Sequence, residues 1–467
     1  MRIGDRFRSS MLLLAGCFLV LAVHPLQAQS DARPGPEVNP LPRRIVLCLD
    51  GTWNSTYAEK HRDDGSKVVK PTNVLKLCRS ALQQDPVDKR AQLVYYHTGV
   101  GSLAKYPGTS NWLLHRADKL LGGAFGAGFE ANIEDALNFL VLNYQEGDQV
   151  FIFGFSRGAA TARGLTNFLE WSQGLPIKED AFYLPQFFRT FVTSKGGRSS
   201  ADVLKEINAK RNGEGKPSLG SFQSIDVEYL GVWDTVMALG ARFQAKGAST
   251  SAVSKSFYID RQPARCVRHA RQALALDEAR YDFRPEIWMD HAEGQTLEQR
   301  WFAGVHSNVG GGYVNDGLAN LAFHWILEGA TAQGLAVDKD FVKFYRSFPQ
   351  DRLYRSESTL YRVLDGLRWR FGRGKRPLAG QPAAANLSLD RSVIHRIVAD
   401  GNNPRFELKG RDYRPENVLL FLACQPDLDG YLQGLDLTEK QRQLPPDVMK
   451  RIGELRHQCV RQAEAAR

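Results

Sequence analysis

Cysteine is scarce in this chain of 467 residues, and no two of its six cysteines form a C-x-x-C pair. That pattern argues against a zinc site built on paired thiolates. The apolar run at 11–23 has 13 residues, which is short of the about 20 that a transmembrane helix needs. Acidic residues are fewer than basic ones, so the net charge is +10. No nucleic-acid recognition motif accompanies this excess, and we expect no nucleic-acid partner.

The first 28 residues have the charged, apolar and polar regions of a secretory signal peptide. Three arginines precede the apolar run, and Ala28 follows it as a cleavage point. Two alternatives stay open, an uncleaved N-terminal anchor and a lipoprotein signal that acylates Cys17. The second is less favoured because few apolar residues precede Cys17 and more follow it. We therefore predict export to the periplasm or the medium, with 29–43 as a Pro-rich linker.

Short apolar runs alternate with amphipathic segments along the rest of the chain. The runs predict strands within 44–56, 92–102, 150–154, 225–236 and 300–313. Helical spacing predicts helices at 128–149 and from about residue 157. This alternation predicts an α/β fold with a mostly parallel sheet covered by helices on both faces. We assign it to a single domain at 44–425 with helical insertions, followed by a helical extension at 426–467.

A serine stands between two glycines in "FIFGFSRGAATARGL", residues 151–165. A strand that ends in G-x-S-x-G and opens into a helix can raise the hydroxyl of its serine above the sheet. Gly154 and Gly158 would then be needed because a side chain at either place would meet the neighbouring strand or helix. The plainer alternative is a tight β–α connection in which Ser156 is incidental. The remaining strand ends favour the first interpretation.

Two further strand ends carry the groups that a nucleophilic serine requires. Asp234 follows "YLGVW" and His306 follows "WFAGV", which gives the order Ser, Asp, His of the α/β-hydrolases. Imidazole can take the proton of the serine, and a carboxylate can orient the imidazole and stabilise its cation. Three other carboxylates between the serine and the histidine remain alternatives for the acid, namely Asp226, Asp277 and Asp282. The stretch around Asp277, "ARQALALDEAR", is interpreted as helix, so a solvated or capping role is expected there.

Attack by a serine creates an oxyanion, which needs hydrogen-bond donors already in place. We expect one donor to be the backbone N–H of Arg157, at the start of the helix. The second should come from the loop after the first strand, from Gly51 or Thr52. Asp50 in the same loop is either a polar group of the site or the first residue of a turn.

Taken together, eight motifs in this order resemble the catalytic domain of the type VI secretion lipase effectors. They are "LDGTWN", "HTGVGS", "GFSRGA", "GVWDTV", "ALALDEARYDFRPEIW", "GVHSNVGGGY", "SVIHRI" and "YRPENV". The resemblance implies an α/β-hydrolase fold and an esterase or phospholipase A activity. It also places Ser156, Asp234 and His306 at the positions of the family's triad. The family usually has Asp where this chain has Asn308, and its members travel without a signal peptide.

These observations predict an exported serine hydrolase that cleaves carboxylic esters, with lipid or phospholipid acyl esters as the leading substrates. No metal or organic cofactor is required. A carboxylesterase or thioesterase acting on soluble substrates is one alternative, and a non-catalytic envelope binding protein is another, suggested by Asn308. The basic, amphipathic segment 360–377 suggests peripheral contact with an anionic membrane, although an ordinary packed helix is favoured. Disulfide pairing and oligomeric state stay open.

Overall fold

The structure is a computed structural model, and part of the chain is described. The described residues are 41–51, 59–62, 64–99, 124–194, 197–236, 260–280, 283–356, 376, 378, 385–399 and 412–465. The predicted signal peptide and most of the predicted linker lie outside these ranges.

Seven strands form one sheet in which every neighbouring pair is parallel. They are β1 (Arg44–Leu49), β4 (Gln92–His97), β5 (Gln149–Phe155), β6 (Val227–Trp233), β7 (Val267–Ala275), β8 (Thr296–Phe302) and β9 (Leu387–Leu389). A separate antiparallel pair consists of β2 (Glu59–His61) and β3 (Lys67–Val69). The predicted α/β class with a parallel sheet is confirmed.

The strand order is β4-β1-β5-β6-β7-β8-β9. From β1 the chain moves outward to β4 at one edge, and from β5 it moves in the other direction toward β9. Strand order therefore reverses between β1 and β5. In open α/β sheets, ligands bind outside the carboxyl ends of the strands at such a reversal, and Ser156 follows β5 directly.

Helices cover both faces of the sheet. They are α1 (Asn73–Ser80), α2 (Ala124–Asn143), α3 (Arg157–Ser172), α4 (Leu184–Ser194), α5 (Ser200–Gly213), α6 (His306–Gly310), α7 (Gly317–Ala332), α8 (Lys339–Val342), α9 (Arg391–Val398), α10 (Glu416–Ala423), α11 (Leu428–Gln433), α12 (Glu439–Arg442) and α13 (Pro446–Ala465). One face packs against α2 to α5 and, farther along, against α9, α10, α11 and α13. The opposite face packs against α1 and α7.

One predicted helix is a strand. The stretch "ARQALALDEAR" contains the second half of β7, which pairs with β6 on one side and β8 on the other. Its alanines, arginines and glutamine favour helix by intrinsic propensity, but pairing on both edges decides the conformation. Asp277 therefore follows a strand end and is held by the fold rather than solvated. Its carboxylate accepts hydrogen bonds from the Tyr413 hydroxyl and the Gly304 N–H.

The C-terminal helices share an apolar core with the sheet. Leu274 of β7 and Trp301 of β8 belong to the same buried cluster as Leu455 of α13. A disulfide joins Cys424, at the end of α10, to Cys459 in α13, a pairing that the sequence left open. Among the described residues, Cys48, Cys78 and Cys266 remain thiols. No helix within the described ranges combines the length and apolarity needed to cross a membrane.

Candidate active site

Ser156 occupies a strained turn between β5 and α3. Its φ of 58° and ψ of −122° are values that non-glycine residues rarely adopt. A Cβ on Gly158 would lie 2.1 Å from the Leu49 carbonyl oxygen, and one on Gly154 would lie 2.5 Å from the Gly158 carbonyl oxygen. Both glycines are therefore required by close backbone approach, which holds the serine hydroxyl above the sheet.

Register between β5 and β6 places Ser156 beside Asp234. Phe155 pairs with Trp233 in the sheet, so the next residue of each strand emerges at the same edge. His306 begins α6 and lies between the two. Its Nε2 is 2.8 Å from Ser156 Oγ, and its Nδ1 is 2.6 Å from Asp234 Oδ2. The three predicted residues thus form a continuous chain of hydrogen bonds.

Asp234 is completely buried and has four hydrogen-bond donors around its carboxylate. Besides the His306 imidazole, they are the Ala275 N–H at 2.9 Å and both terminal nitrogens of Arg376, at 2.5 and 3.1 Å. Burial alone would raise the pKa of Asp234, but the charge of Arg376 and the bond to His306 lower it to about 2. The carboxylate is therefore ionised, as the partner of an imidazole must be.

The loop that carries His306 is fixed by two acidic residues after β7. Asp277 accepts a hydrogen bond from the Gly304 N–H at 2.6 Å, and Glu278 accepts one from the His306 N–H at 3.2 Å. The imidazole ring packs between Phe155 and Phe283, whose ring centroids are 4.7 and 4.9 Å away. These contacts leave the ring little freedom to rotate away from the serine.

The two backbone N–H groups predicted as oxyanion donors, those of Arg157 and Gly51, point to different surroundings. Arg157 begins α3, so its backbone N–H is at the end of the helix where such groups point outward. The Gly51 N–H already donates to Asp50 Oδ1 at 2.7 Å. The proton of Gly51 is thus directed to a carboxylate in this conformation, and the prediction of Gly51 or Thr52 as the second donor stays a prediction. Thr52 lies outside the described residues.

Asp50 is a buried polar centre rather than only the start of a turn. Its Oδ2 accepts hydrogen bonds from the Thr72 hydroxyl at 2.7 Å and the Tyr96 hydroxyl at 2.8 Å. These bonds connect the loop after β1 with β4 and with the N-terminus of α1. Asp50 therefore stabilises the backbone against which Gly158 packs.

Asn308, at which the resemblance implied Asp, has a different environment from the triad carboxylate. Its Oδ1 accepts from the Tyr354 N–H at 3.1 Å, and its Nδ2 donates to the Arg352 carbonyl at 3.1 Å. Both polar atoms of the amide are thus used to hold the 352–354 segment against α6. An amide meets both requirements, whereas a carboxylate could only accept.

The other candidate residues lie elsewhere. Asp226 forms an exposed ion pair with Arg268, and Asp282 lies outside the described residues. The segment 360–377 also lies outside the described residues, except for Arg376. Within the described ranges, no group of three or more His, Cys, Asp or Glu residues could hold a metal ion. Sequence reasoning missed Arg376 and Glu278, because only the fold places them beside Asp234 and His306.

Comparison with known proteins finds partial matches. The chain is 26% identical over 251 residues to an uncharacterised protein of Saccharomyces cerevisiae, which covers 52% of the chain but only 32% of that protein. An uncharacterised protein from Pseudomonas aeruginosa is similar with a TM-score of 0.39 at 16% identity, over 88% of this chain and 62% of that one. A Tle1 effector bound to the VgrG spike has a TM-score of 0.31 at 20% identity, over 59% and 52%.

The family model for the catalytic domain of Tle1-like phospholipase effectors of the type VI secretion system matches residues 43–329. That range contains Ser156, Asp234 and His306 and more than half of the chain. The chain belongs to the Tle1-like phospholipase effector family, through its catalytic domain.

Proposed function

We propose that this protein is an exported serine hydrolase that cleaves acyl esters of phospholipids. The observation that carries the proposal is the hydrogen-bonded chain from Ser156 through His306 to Asp234, with distances of 2.8 and 2.6 Å. Membership in a phospholipase family supports a lipid ester as the substrate. The net charge of +10 supports work at an anionic lipid surface.

In the proposed reaction, Ser156 Oγ attacks the ester carbonyl carbon while His306 Nε2 accepts the hydroxyl proton. The resulting oxyanion accepts a hydrogen bond from the Arg157 backbone N–H. The His306 imidazolium, stabilised by Asp234, then gives its proton to the leaving alcohol oxygen, and the acyl group stays on the serine. A water molecule, deprotonated by the same imidazole, releases the fatty acid and restores the serine.

The test combines covalent labelling with turnover. We expect the wild-type protein to react with a fluorophosphonate probe at Ser156 and to release fatty acid from phosphatidylglycerol vesicles. Ser156→Ala should abolish labelling and lower turnover at least about a thousandfold. Ser172→Ala is the matched control, because this serine lies at the other end of α3 and donates only to backbone carbonyls.

The outcomes separate the competing functions. A folded Ser156→Ala variant with wild-type turnover would contradict the triad. Labelling together with hydrolysis of short soluble esters or thioesters, but not of vesicles, would favour a carboxylesterase or thioesterase. Specific vesicle binding without labelling would favour the non-catalytic binding protein. Phospholipid hydrolysis that depends on Ser156 supports the proposal.

Export is the second part of the proposal, and the disulfide between Cys424 and Cys459 supports it. Structural disulfides persist in oxidising compartments such as the periplasm. Mass spectrometry of protein from a bacterial envelope fraction should find a mature N-terminus near Gln29. An intact Met1 in cytoplasmic protein would contradict cleavage and export, and an acylated Cys17 would indicate a lipoprotein.

Peripheral membrane contact through 360–377 completes the proposal. Each basic side chain near an anionic surface contributes about 1 kcal/mol, so Arg362, Arg370 and Arg373 should give salt-sensitive adsorption. We expect binding to anionic vesicles at low salt that weakens at high salt and in the variant with all three changed to Glu. Equal binding to anionic and neutral vesicles in all conditions would contradict the electrostatic contribution.

A further inference from the structure

Arg376 has a fixed position inside the protein. It is buried, and its guanidinium donates to both carboxylate oxygens of Asp234. The same two nitrogens also donate to the backbone carbonyls of Ala275 and Phe283, the latter being the residue whose ring packs on His306. Asn417 of α10 holds the main chain through its bond to the Arg376 carbonyl. Arginine binds carboxylates through two parallel bonds in this way, with a defined geometry.

Arg376 also places a positive charge among the carboxylates around the His306 loop. Three carboxylates surround the His306 loop, and burial acts to raise the pKa of each. At Asp234 the charge of Arg376 is the main opposing cause and the pKa is lowered. At Glu278 the pKa is lowered mainly by Arg280, and at Asp277 burial prevails and the pKa is raised. Among the described residues, the other charged or titratable groups facing these carboxylates are Arg280 on Glu278, Tyr413 and Arg396 at Asp277, and Tyr313 near Arg280 and Glu278. Arg376 is the arginine that contacts the triad carboxylate itself.

We propose that Arg376 is a positioning residue that holds the carboxylate of Asp234 toward His306. This inference rests on the proposed serine hydrolase function. Asp234 shares its negative charge between the imidazole and the guanidinium. Because the two guanidinium bonds fix the orientation of the carboxylate, its Oδ2 stays directed at the imidazole Nδ1.

Removing the two parallel bonds of Arg376 has a predictable consequence. The carboxylate of Asp234 would keep the Ala275 N–H and the His306 imidazole as partners, and its orientation would be less well defined. His306 would then be held less well against Ser156. Arg376 contacts the acid of the triad rather than the serine, so kcat should fall while KM stays unchanged.

The test compares Arg376→Gln, which keeps donors but loses the charge, with Arg376→Lys, which keeps the charge but loses the two-pronged bond. The rate of fluorophosphonate labelling is measured together with kcat and KM for a soluble p-nitrophenyl ester. Both variants lose the two parallel bonds. For each we expect an unchanged KM, with kcat and the labelling rate per folded molecule reduced about tenfold or more.

Arg163→Gln is the matched control, since this buried arginine donates to the carbonyls of Glu286 and Asp260 and does not contact the triad. It should lower stability without changing kcat per folded molecule. A folded Arg376→Gln variant with the kcat of the wild type would overturn the inference. If Arg376→Gln does not fold, wild-type kcat in Arg376→Lys would overturn it. Absence of labelling in wild-type protein would instead overturn the proposed function, and this inference with it.

Discussion

Gly158, in the first turn of α3, lies directly against the carbonyl oxygen of Leu49, the last residue of β1. A Cβ at position 158 would be 2.1 Å from that oxygen and 2.5 Å from the carbonyl oxygen of Asp50. The helix that follows the serine can therefore approach the neighbouring strand only with glycine at this position. The contact joins the two sides of the strand-order reversal at which Ser156 lies.

Gly158→Ala should destabilise the protein and displace Ser156. Backbone atoms cannot move aside as a flexible side chain can, so we expect a loss of about 3 kcal/mol in the free energy of unfolding. Urea unfolding measures this loss, with Gly213→Ala as the control. Gly213 ends α5, and a methyl group there would meet no neighbouring atom within 4 Å, so its replacement should be neutral or stabilising. Equal stability of the two variants would contradict the contact.

Asn308→Asp should leave activity per folded molecule within about twofold of the wild type. Residue 308 bonds to Arg352 and Tyr354 and not to the imidazole nitrogens of His306. The carboxylate would face the Arg352 carbonyl that the amide now binds, and we expect a stability loss of about 1–3 kcal/mol. Titration of labelled serine and urea unfolding separate the two effects. A large gain in turnover would mean that Asn308 impairs this protein.

Loss of the Cys424–Cys459 disulfide should weaken the attachment of α13. The two cysteines are 35 residues apart, and closing a loop of that length restricts the unfolded chain by about 4 kcal/mol. We expect a reductant to lower the melting temperature of the wild type. It should have no effect on a variant with both cysteines changed to Ser, which serves as the control. An equal response of both proteins would contradict a structural disulfide.

Lys76 should make stability depend on pH in the alkaline range. Burial lowers the pKa of Lys76 to about 8, although Asp316 opposes the shift. Between about pH 8 and the unfolded value near 10.5, the unfolded chain holds a proton that the native protein lacks, so stability rises with pH. Relative to Lys76→Met, the wild type should gain about 3 kcal/mol over this range. Urea unfolding at pH 8 and pH 10.5 measures the free energy of unfolding of both proteins. An equal change between the two pH values in the wild type and in Lys76→Met would contradict this prediction.

Local sequence was sufficient for most of the sheet. Buried parallel strands are short apolar runs, and β1, β4, β5 and β6 were predicted from such runs. The prediction of a strand within 300–313 was misplaced, because β8 is Thr296–Phe302 and α6 lies within the predicted range. The family was also identified from ordered motifs, and the match to residues 43–329 confirms it. β7 was predicted wrongly because its residues favour helix, whereas its pairing with β6 and β8 involves strands distant in sequence.

Residue types and strand ends were enough to name Ser156, Asp234 and His306 as candidates, because chemistry at parallel strands gathers where they end. The sequence favoured Asp234 over Asp277, and the register of β5 with β6 gives the structural reason, since it places Asp234 beside the serine. The orientation of the Gly51 N–H toward Asp50 likewise depends on a backbone conformation that a Gly in a loop does not specify.

The sequence by itself determined the fold class, the family and the residue types available at the strand ends, because these follow from local apolar runs and short motifs. Only the tertiary structure decided which charged side chains form contacts with one another. Arg376 appears in the sequence as one of several basic residues in a basic segment, yet it binds a carboxylate 142 positions earlier in the chain. Cys424 and Cys459 become partners through the packing of α10 on α13. Such contacts depend on how distant segments pack, and no local pattern encodes them.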